Sequence, residues 1–234
     1  MILSNEAINQ KALDFEHSQP EDVLTWAVET FGDKLALTTS FQPTGIATLH
    51  MLYQIAPGTP VLTMDTGLLF PQTYRLMAEI EARLDLNLIR IRPEVSVSEQ
   101  GAMYGENMWE WQPDQCCALR KVQPLREALR EYDAWIAGLR RDQSPSRKHI
   151  SVVAADPKSD NLTIRPLANW TDASVWDYIR AHDLPYNSLH DQGYPSIGCW
   201  PCTNPVRNAD GYTRMGRWST HMKTECGLHF QAVP

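Results

Sequence analysis

Short apolar stretches alternate with amphipathic ones along the first two-thirds of the chain. Patterns typical of buried strands cover residues 34–39, 61–64, 86–91 and 133–139. Apolar residues at helical spacing follow the first and the second of these strands, at 44–55 and 70–84. Strands that alternate with helices in this way are typical of βαβ units, which place their strands side by side in a parallel sheet. The pattern predicts an α/β fold with a doubly wound, mostly parallel sheet.

The rest of the chain divides around this core. The polar, helix-rich start predicts an N-terminal helical segment over residues 1–33, with Ser18 as a helix N-cap. Residues 34–205 form the predicted α/β domain. After Leu184, prolines and glycines replace the periodic pattern, so we expect residues 206–234 to be an irregular, mobile C-terminal tail.

Composition and charge narrow the class of protein. The chain has 234 residues, of which 43% are hydrophobic and 21% charged, so it can bury a core and is not globally disordered. No apolar run approaches the roughly 18 residues of a membrane span, and the start lacks an apolar signal segment. We therefore expect a cytoplasmic protein with no membrane partner.

The distribution of charge is more informative than its total. A net charge of −7 argues against general nucleic-acid binding, which favours basic domains. Basic residues nevertheless outnumber acidic ones over 120–148 and 203–234. These two local excesses favour a small anionic ligand held in a positive pocket.

Three loops follow predicted strands, at the sheet edge where open α/β sheets bind ligands. They span residues 38–45, 65–67 and 138–144. The first offers hydroxyl groups, including that of Ser40, and backbone N–H groups at a helix N-terminus, which suit a phosphate. It is neither a Walker A loop nor a G-x-G-x-x-G turn, so an ordinary βα turn is the alternative.

Four of the five cysteines form two pairs. Cys116 and Cys117 are adjacent on a predicted helix, and Cys199 and Cys202 form a C-x-x-C in a loop rich in Gly, Pro and Trp. In a reducing cytosol, such a set indicates a four-ligand metal site rather than disulfides. Adjacent helical residues project about 100° apart, which suits a four-iron cluster better than one tetrahedral zinc. Zinc and buried core thiols are the alternatives.

Cys226 is the cysteine left over. It lies in the tail segment Glu225–His229, where a polar environment would leave it accessible, and His221, Lys223 and His229 are close enough in sequence to favour its thiolate. From spacing alone, a catalytic thiol and an unremarkable exposed thiol are equally consistent with this position.

Several cations are candidates for binding an anion, because guanidinium groups match phosphate or sulfate oxygens with two parallel bonds. The candidates are Lys121, Arg140, Arg141, Arg147, Lys148, Arg214 and Arg217. Lys121 also lies one helical turn after Cys117, where its charge would offset that of metal-bound thiolates. The alternative for each is a solvated surface charge. The scattered histidines, including His190, are interpreted as structural or surface residues.

Together these motifs resemble those of the assimilatory adenylyl-sulfate reductases, within the wider phosphoadenylyl-sulfate reductase family. The matching pieces are Cys116-Cys117 with Arg120-Lys121, Asp65-Thr66-Gly67, Gly138-Leu139-Arg140-Arg141-Asp142-Gln143-Ser144, Cys199-x-x-Cys202, Arg214-x-x-Arg217-Trp218 and Glu225-Cys226-Gly227-Leu228-His229. The resemblance runs from about Lys34 to His229. It implies a fold of the adenine-nucleotide hydrolase type, like that of the ATP pyrophosphatases, although the 40–45 loop is not Gly-rich, which argues against ATP hydrolysis.

The resemblance also implies a reaction and a cofactor. The Cys226 thiolate would attack adenosine 5′-phosphosulfate and release AMP, and thioredoxin or glutaredoxin would then release sulfite from the S-sulfocysteine. The four paired cysteines would hold a [4Fe–4S] cluster that does not carry electrons, and Lys121 would link it electrostatically to the substrate. Ser40, Gly138 and the arginines would contact the substrate. Proteins of this family often form homodimers or homotetramers.

Two alternatives stay open. A 3′-phosphoadenylyl-sulfate reductase, or an enzyme that uses both nucleotides, would place the 3′-phosphate on Arg147 or Lys148. The four paired cysteines favour the unphosphorylated substrate. A non-catalytic iron–sulfur or zinc sensor of nucleotides is the more remote alternative, and it would not require Cys226.

Overall fold

A six-stranded sheet lies at the centre of the part of the chain that the structure describes. The computed structural model describes residues 3–157, 159–206, 214–219, 223 and 225–228. The strands are β1 Leu35–Thr38, β2 Val61–Met64, β3 Leu88–Ile91, β4 Ala134–Ala137, β5 Val153–Ala155 and β6 Leu162–Ile164. Their order is β3-β2-β1-β4-β6-β5, and all neighbours are parallel except β5, which runs antiparallel to β6. The predicted mostly parallel α/β sheet is confirmed.

Helices connect and cover these strands. They are α1 Asn5–Asp14, α2 Pro20–Phe31, α3 Pro43–Ile55, α4 Pro71–Arg83, α5 Val97–Tyr104, α6 Met108–Trp111, α7 Pro113–Cys117, α8 Gln123–Leu129 and α9 Asp172–Ala181. Four of them (α2, α3, α4 and α7) begin with proline, because the missing N–H has no partner in the first turn of a helix. Within the described ranges, no helix is both long and apolar enough to cross a membrane.

The first helices pack into the same core as the sheet. Val23, Leu24 and Ala27 on α2 are almost fully buried, and Ile8 on α1 joins them. The prediction of Ser18 as an N-cap is wrong. Helix α2 begins after Gln19, and the Ser18 hydroxyl instead donates to the carbonyl of Asp14 at the end of α1.

The order of the strands reverses beside β1. From β1 the chain proceeds outward to β2 and β3, and then returns to place β4 on the other side of β1. Such a switch point leaves a crevice between the loops that follow the two central strands. At its base, Gly138 meets Gly45 in the first turn of α3: a Cβ atom on Gly138 would lie 3.0 Å from both Cα and N of Gly45. The crevice therefore depends on a backbone contact that leaves no room for a side chain.

Helices α7 and α8 are joined by a π-helical turn, Ala118–Val122. Pro124 follows directly, and a proline inside a helix lacks an N–H and collides with the carbonyl four residues before it. That carbonyl belongs to Arg120, in the widened turn, so the π-turn accommodates the proline without ending the helix. Lys121 lies in the same turn, immediately after the paired cysteines.

We expect Gly138→Ala to destabilise the protein by about 1–3 kcal/mol, because the added methyl group would overlap backbone atoms of Gly45. Thermal unfolding followed by circular dichroism should show a Tm lower by several degrees. Gly58→Ala is the matched control, because a Cβ atom there would meet nothing within 4 Å. A Gly138→Ala protein as stable as the control would contradict the close approach.

Candidate active site

A pocket opens at the switch point between β1 and β4. The predicted residues that line it are Ser40, Lys121, Gly138, Arg140, Arg147, Arg214, Arg217 and Cys226. Beside Ser40, the fully buried Phe41 has a left-handed backbone (φ 54°), and its amide donates to the Thr39 hydroxyl at 3.1 Å. A buried side chain thus holds this strained turn in place. The turn presents the N-terminus of α3 to the pocket, where backbone N–H groups favour an anion.

Arg140 is buried in the pocket wall and joins two helices. Only 2% of its side chain is exposed. Its guanidinium lies 2.9 Å from Asp142 and 2.9 Å from Asp172, at the start of α9, and it also contacts the Thr44 hydroxyl in the first turn of α3. With two carboxylates beside it, Arg140 orders the wall of the pocket and brings little unbalanced positive charge to a ligand.

Arg141, the next residue, points away from the pocket. The backbone at Arg140 is extended (φ −132°, ψ 153°), so consecutive side chains face opposite directions. The Arg141 guanidinium contacts Glu16 and Asn169 and donates to the carbonyl of Ile150 at 2.9 Å. The structure therefore places Arg141 in an ion pair with the N-terminal segment, apart from the other predicted ligands.

Arg147 is bound by Glu225, the residue before Cys226. Nε and Nη2 of Arg147 donate to the two carboxylate oxygens, each at 2.8 Å. The Ser146 hydroxyl donates to the same carboxylate at 3.1 Å, and Nη2 of Arg214 lies 3.2 Å from it. Burial, together with the nearby Arg147, lowers the pKa of Arg214 to about 10, so Arg214 stays protonated at neutral pH.

Cys226 lies in the same pocket as these cations. Its side chain is half-buried and its thiol is free. On its C-terminal side, Gly227 turns the chain with a φ of 87°, and Leu228 packs against the main core. His221 and His229, the histidines expected to favour the thiolate, lie outside the described residues.

Arg217 and Lys121 complete the positive wall. A Cβ atom on Gly198 would lie 2.3–2.6 Å from the Arg217 guanidinium, so glycine is what allows that group to occupy its place. The guanidinium also lies over the Trp218 ring, 4.6 Å from its centroid. Burial alone would lower the pKa of Lys121, but Cys199 and Cys117 raise it above its ordinary value. Lys121 is therefore positive at neutral pH.

The four paired cysteines all lie within electrostatic reach of Lys121. Cys116 and Cys117 end α7, and an isolated β-bridge between Leu69 and Cys199 joins the C-x-x-C loop to the segment after β2. The Trp218 amide donates to the carbonyl of Cys202 at 3.0 Å, which ties this loop to the tail. Cys116, Cys199 and Cys202 share an apolar cluster with Leu68, Met108 and Trp109.

The electrostatic environment distinguishes Cys199 from the other three. Burial would raise its pKa, but the charge of Lys121, a hydrogen bond with Thr66 and the charge of Arg217 lower it below the ordinary value. Burial instead raises the pKa of Cys117 and of Cys202 to about 11. Across the residues that the structure describes, no three Cys, His, Asp or Glu side chains lie close enough to hold a single metal ion.

The structure gives two residues near the site a place that sequence pattern did not predict. Arg120 is buried and donates to the Thr66 carbonyl at 2.7 Å and to Gln100 at 3.1 Å, which ties the cysteine helix to the loop after β2. His190 lines the pocket, against Trp176, and its Nε2 atom has no hydrogen-bond partner among the described residues. Burial lowers the pKa of His190, which keeps the ring neutral at pH 7. Its surroundings are aperiodic, so nothing marked it in the sequence.

Comparison with known proteins agrees with this arrangement. The profile of the phosphoadenosine phosphosulfate reductase domain matches residues 34–205. An adenosine 5′-phosphosulfate reductase of Salinibacter ruber is 51% identical over 92% of this chain and 85% of its own. A phosphoadenosine 5′-phosphosulfate reductase of Gloeobacter violaceus is 47% identical over 98% and 96%. The crystal structure of a phosphoadenylyl-sulfate reductase from Candida auris superposes with a TM-score of 0.77, at 33% identity, over 88% of this chain and 99% of the other.

The strand order and the superposition show an α/β fold of the adenine-nucleotide hydrolase type, as the resemblance implied. The family match and the sequence identities then establish the family. The chain belongs to the phosphoadenosine phosphosulfate reductase family, and it is an oxidoreductase of sulfate assimilation.

We expect Arg217→Gln to weaken the binding of ADP, an unreactive nucleotide with two anionic groups, by about tenfold or more, because a charge-assisted hydrogen bond would be lost. Arg141→Gln is the matched control, because its side chain faces the N-terminal segment. Its affinity should stay within about twofold of the unaltered protein. Titration calorimetry measures both, and equal losses would contradict the different orientations of the two arginines.

Proposed function

We propose that this chain reduces adenosine 5′-phosphosulfate to sulfite and AMP, with Cys226 as the nucleophile. One observation carries the proposal: the Cys226 thiol shares a pocket with Lys121, Arg214 and Arg217 at the switch point of the sheet. A thiol surrounded by cations beside a helix N-terminus suits attack on an anionic nucleotide.

In the first step the Cys226 thiolate attacks the sulfur atom of the sulfuryl group. A bond forms between Sγ and that sulfur, and the bond to the bridging oxygen breaks, so the electron pair leaves with AMP. Two anions would ordinarily repel each other. Arg217, Arg214 and Lys121 reduce that repulsion and stabilise the charge that develops on the leaving phosphate.

In the second step a dithiol protein of the thioredoxin or glutaredoxin type attacks Sγ of the S-sulfocysteine. Sulfite leaves with the electron pair of the S–S bond, and a mixed disulfide with Cys226 remains. The second thiol of the partner then resolves this disulfide and frees Cys226. The two electrons that reduce the sulfur thus come from the dithiol.

We also propose that Cys116, Cys117, Cys199 and Cys202 hold a [4Fe–4S] cluster. All four thiols are free, and Cys116, Cys199 and Cys202 share one apolar cluster; a [4Fe–4S] cluster takes four thiolates. The adjacent Cys116 and Cys117 suit one tetrahedral zinc ion less well, because two C-x-x-C pairs are its usual ligand spacing. When bound, the cluster would supply a delocalised negative charge within electrostatic reach of Lys121, which lines the pocket.

The unphosphorylated nucleotide is the substrate that the pocket favours. Relatives named for either nucleotide are similar to this chain, so similarity alone does not separate them. Arg147, one of the two expected partners of a 3′-phosphate, already donates two hydrogen bonds to Glu225. A 3′-phosphate would have to displace a buried carboxylate from it, which would cost binding energy.

Incubation with adenosine 5′-phosphosulfate and no reductant should increase the mass of the protein by one SO3 group, and peptide mass spectrometry should locate the group on Cys226. Cys226→Ser should form no adduct and release no sulfite, because the hydroxyl is a far weaker nucleophile. It should still bind ADP, since the cations remain.

Two results would contradict this function. Turnover in the Cys226→Ser protein would show that Cys226 is not the nucleophile. Faster adduct formation with the 3′-phosphorylated nucleotide than with adenosine 5′-phosphosulfate would assign the other substrate.

Protein purified without oxygen should be brown and should contain about four iron and four sulfide ions per chain. Cys199→Ser should lose most of this iron, because the serine oxygen is a poor ligand for it. Cys226→Ser is the control and should keep its iron. Colourless protein with one zinc ion per chain would contradict the cluster.

A further inference from the structure

We propose that Glu225 is a positioning residue, which orients the Cys226 thiol by binding Arg147. The inference rests on the proposed role of Cys226 as the nucleophile. It assigns Arg147 to holding the tail and takes it out of the set of predicted substrate ligands.

The geometry is that of a two-pronged ion pair. Both carboxylate oxygens of Glu225 are used by Arg147, at 2.8 Å each, and 7% of the Arg147 side chain and 9% of the Glu225 side chain are exposed. Two parallel bonds fix the direction of the carboxylate as well as its distance. Since Cys226 is the next residue, fixing the Glu225 side chain restricts where the thiol points.

A second contact lies two residues before Glu225, and it is weaker in kind. Lys223 contacts Asp114, near the start of the cysteine helix; 6% of the Lys223 side chain is exposed, but 87% of the Asp114 side chain is. An ion pair whose carboxylate is solvated contributes little to stability. The buried pair with Arg147 is therefore the contact that determines the orientation of the tail at Cys226.

The carboxylate would be unfavourable in this place without its cations. A buried, unpaired carboxylate is strongly destabilised, so Glu225 enters the pocket only where Arg147 and Arg214 meet it. The tail conformation that pairs this carboxylate is therefore favoured over other conformations that would bury the same apolar surface. The nucleophile thus starts close to the attack position, which lowers the entropic part of the barrier.

The test uses Glu225→Gln, Arg147→Gln and the double variant, in the full chain with its metal retained. Glu16→Gln is the matched control, because it neutralises a glutamate paired with Arg141, the other arginine of the same loop that faces a glutamate. Three quantities are measured: the rate of adduct formation at saturating adenosine 5′-phosphosulfate, the affinity for ADP, and the rate at which iodoacetamide alkylates Cys226.

We expect adduct formation to slow by about tenfold or more in each single variant, because one partner of a buried ion pair is removed. The double variant should be no slower than the singles, because both changes delete the same contact. Alkylation of Cys226 should become several-fold faster, because the tail would no longer be held in the pocket and the thiol would be more exposed. The affinity for ADP should not weaken, and Glu16→Gln should behave as the unaltered protein.

Other outcomes would overturn the positioning role. If Arg147→Gln weakens ADP binding as much as it slows the adduct, Arg147 is a ligand of the nucleotide. If Glu225→Gln leaves both adduct formation and alkylation unchanged, the ion pair does not position the thiol. Failure of the unaltered protein to form an adduct would instead refute the proposed function, and the alkylation rates would still report whether the ion pair seats Cys226.

Discussion

The contact between Gly138 and Gly45 is the constraint on which the site depends. Strand order reverses beside β1, so the loops after β1 and β4 must separate enough to admit a ligand while their backbones still pack at the base. Two glycines satisfy both conditions, because the backbone atoms of α3 can then touch the end of β4. The positions of the turn at Phe41 and of the Arg140 side chain depend on this contact, because Phe41 lies in the loop after β1 and Arg140 in the loop after β4.

Carboxylate partners determine which positive charges in the pocket are free to act on a ligand. Arg140 is balanced by Asp142 and Asp172, and its role is to hold the wall. Arg217 has no ion pair of this kind among the described residues, and its guanidinium is held by Gly198 and by the ring of Trp218. A chain with a net charge of −7 can therefore present a positive site, because the local balance and not the total charge sets the potential there.

Features that depend on neighbouring residues could be predicted from the sequence, whereas contacts between residues far apart in the chain could not. The strand at Val61–Met64 was predicted with its observed bounds, because apolar runs between turns are a local signal. Arg140 and Arg141 are neighbours with the same chemistry, and only the extended backbone sends one inward and the other outward. The partner of Arg147 lies 78 residues away, so no local pattern marks it. Residue type thus indicated the chemistry, and the fold assigned each cation its role.

In the proposed mechanism, a nucleophile on a tail must meet two opposing requirements. It has to be oriented accurately while the nucleotide is bound, and it has to be released to a second protein afterwards. A large apolar anchor would hold the tail firmly but direct it poorly, because apolar contacts have little directional preference. In a buried ion pair the cost of desolvation offsets much of the attraction, so the pair between Glu225 and Arg147 directs the chain while adding modest net affinity. An ion pair is therefore the kind of contact that satisfies both requirements at Cys226.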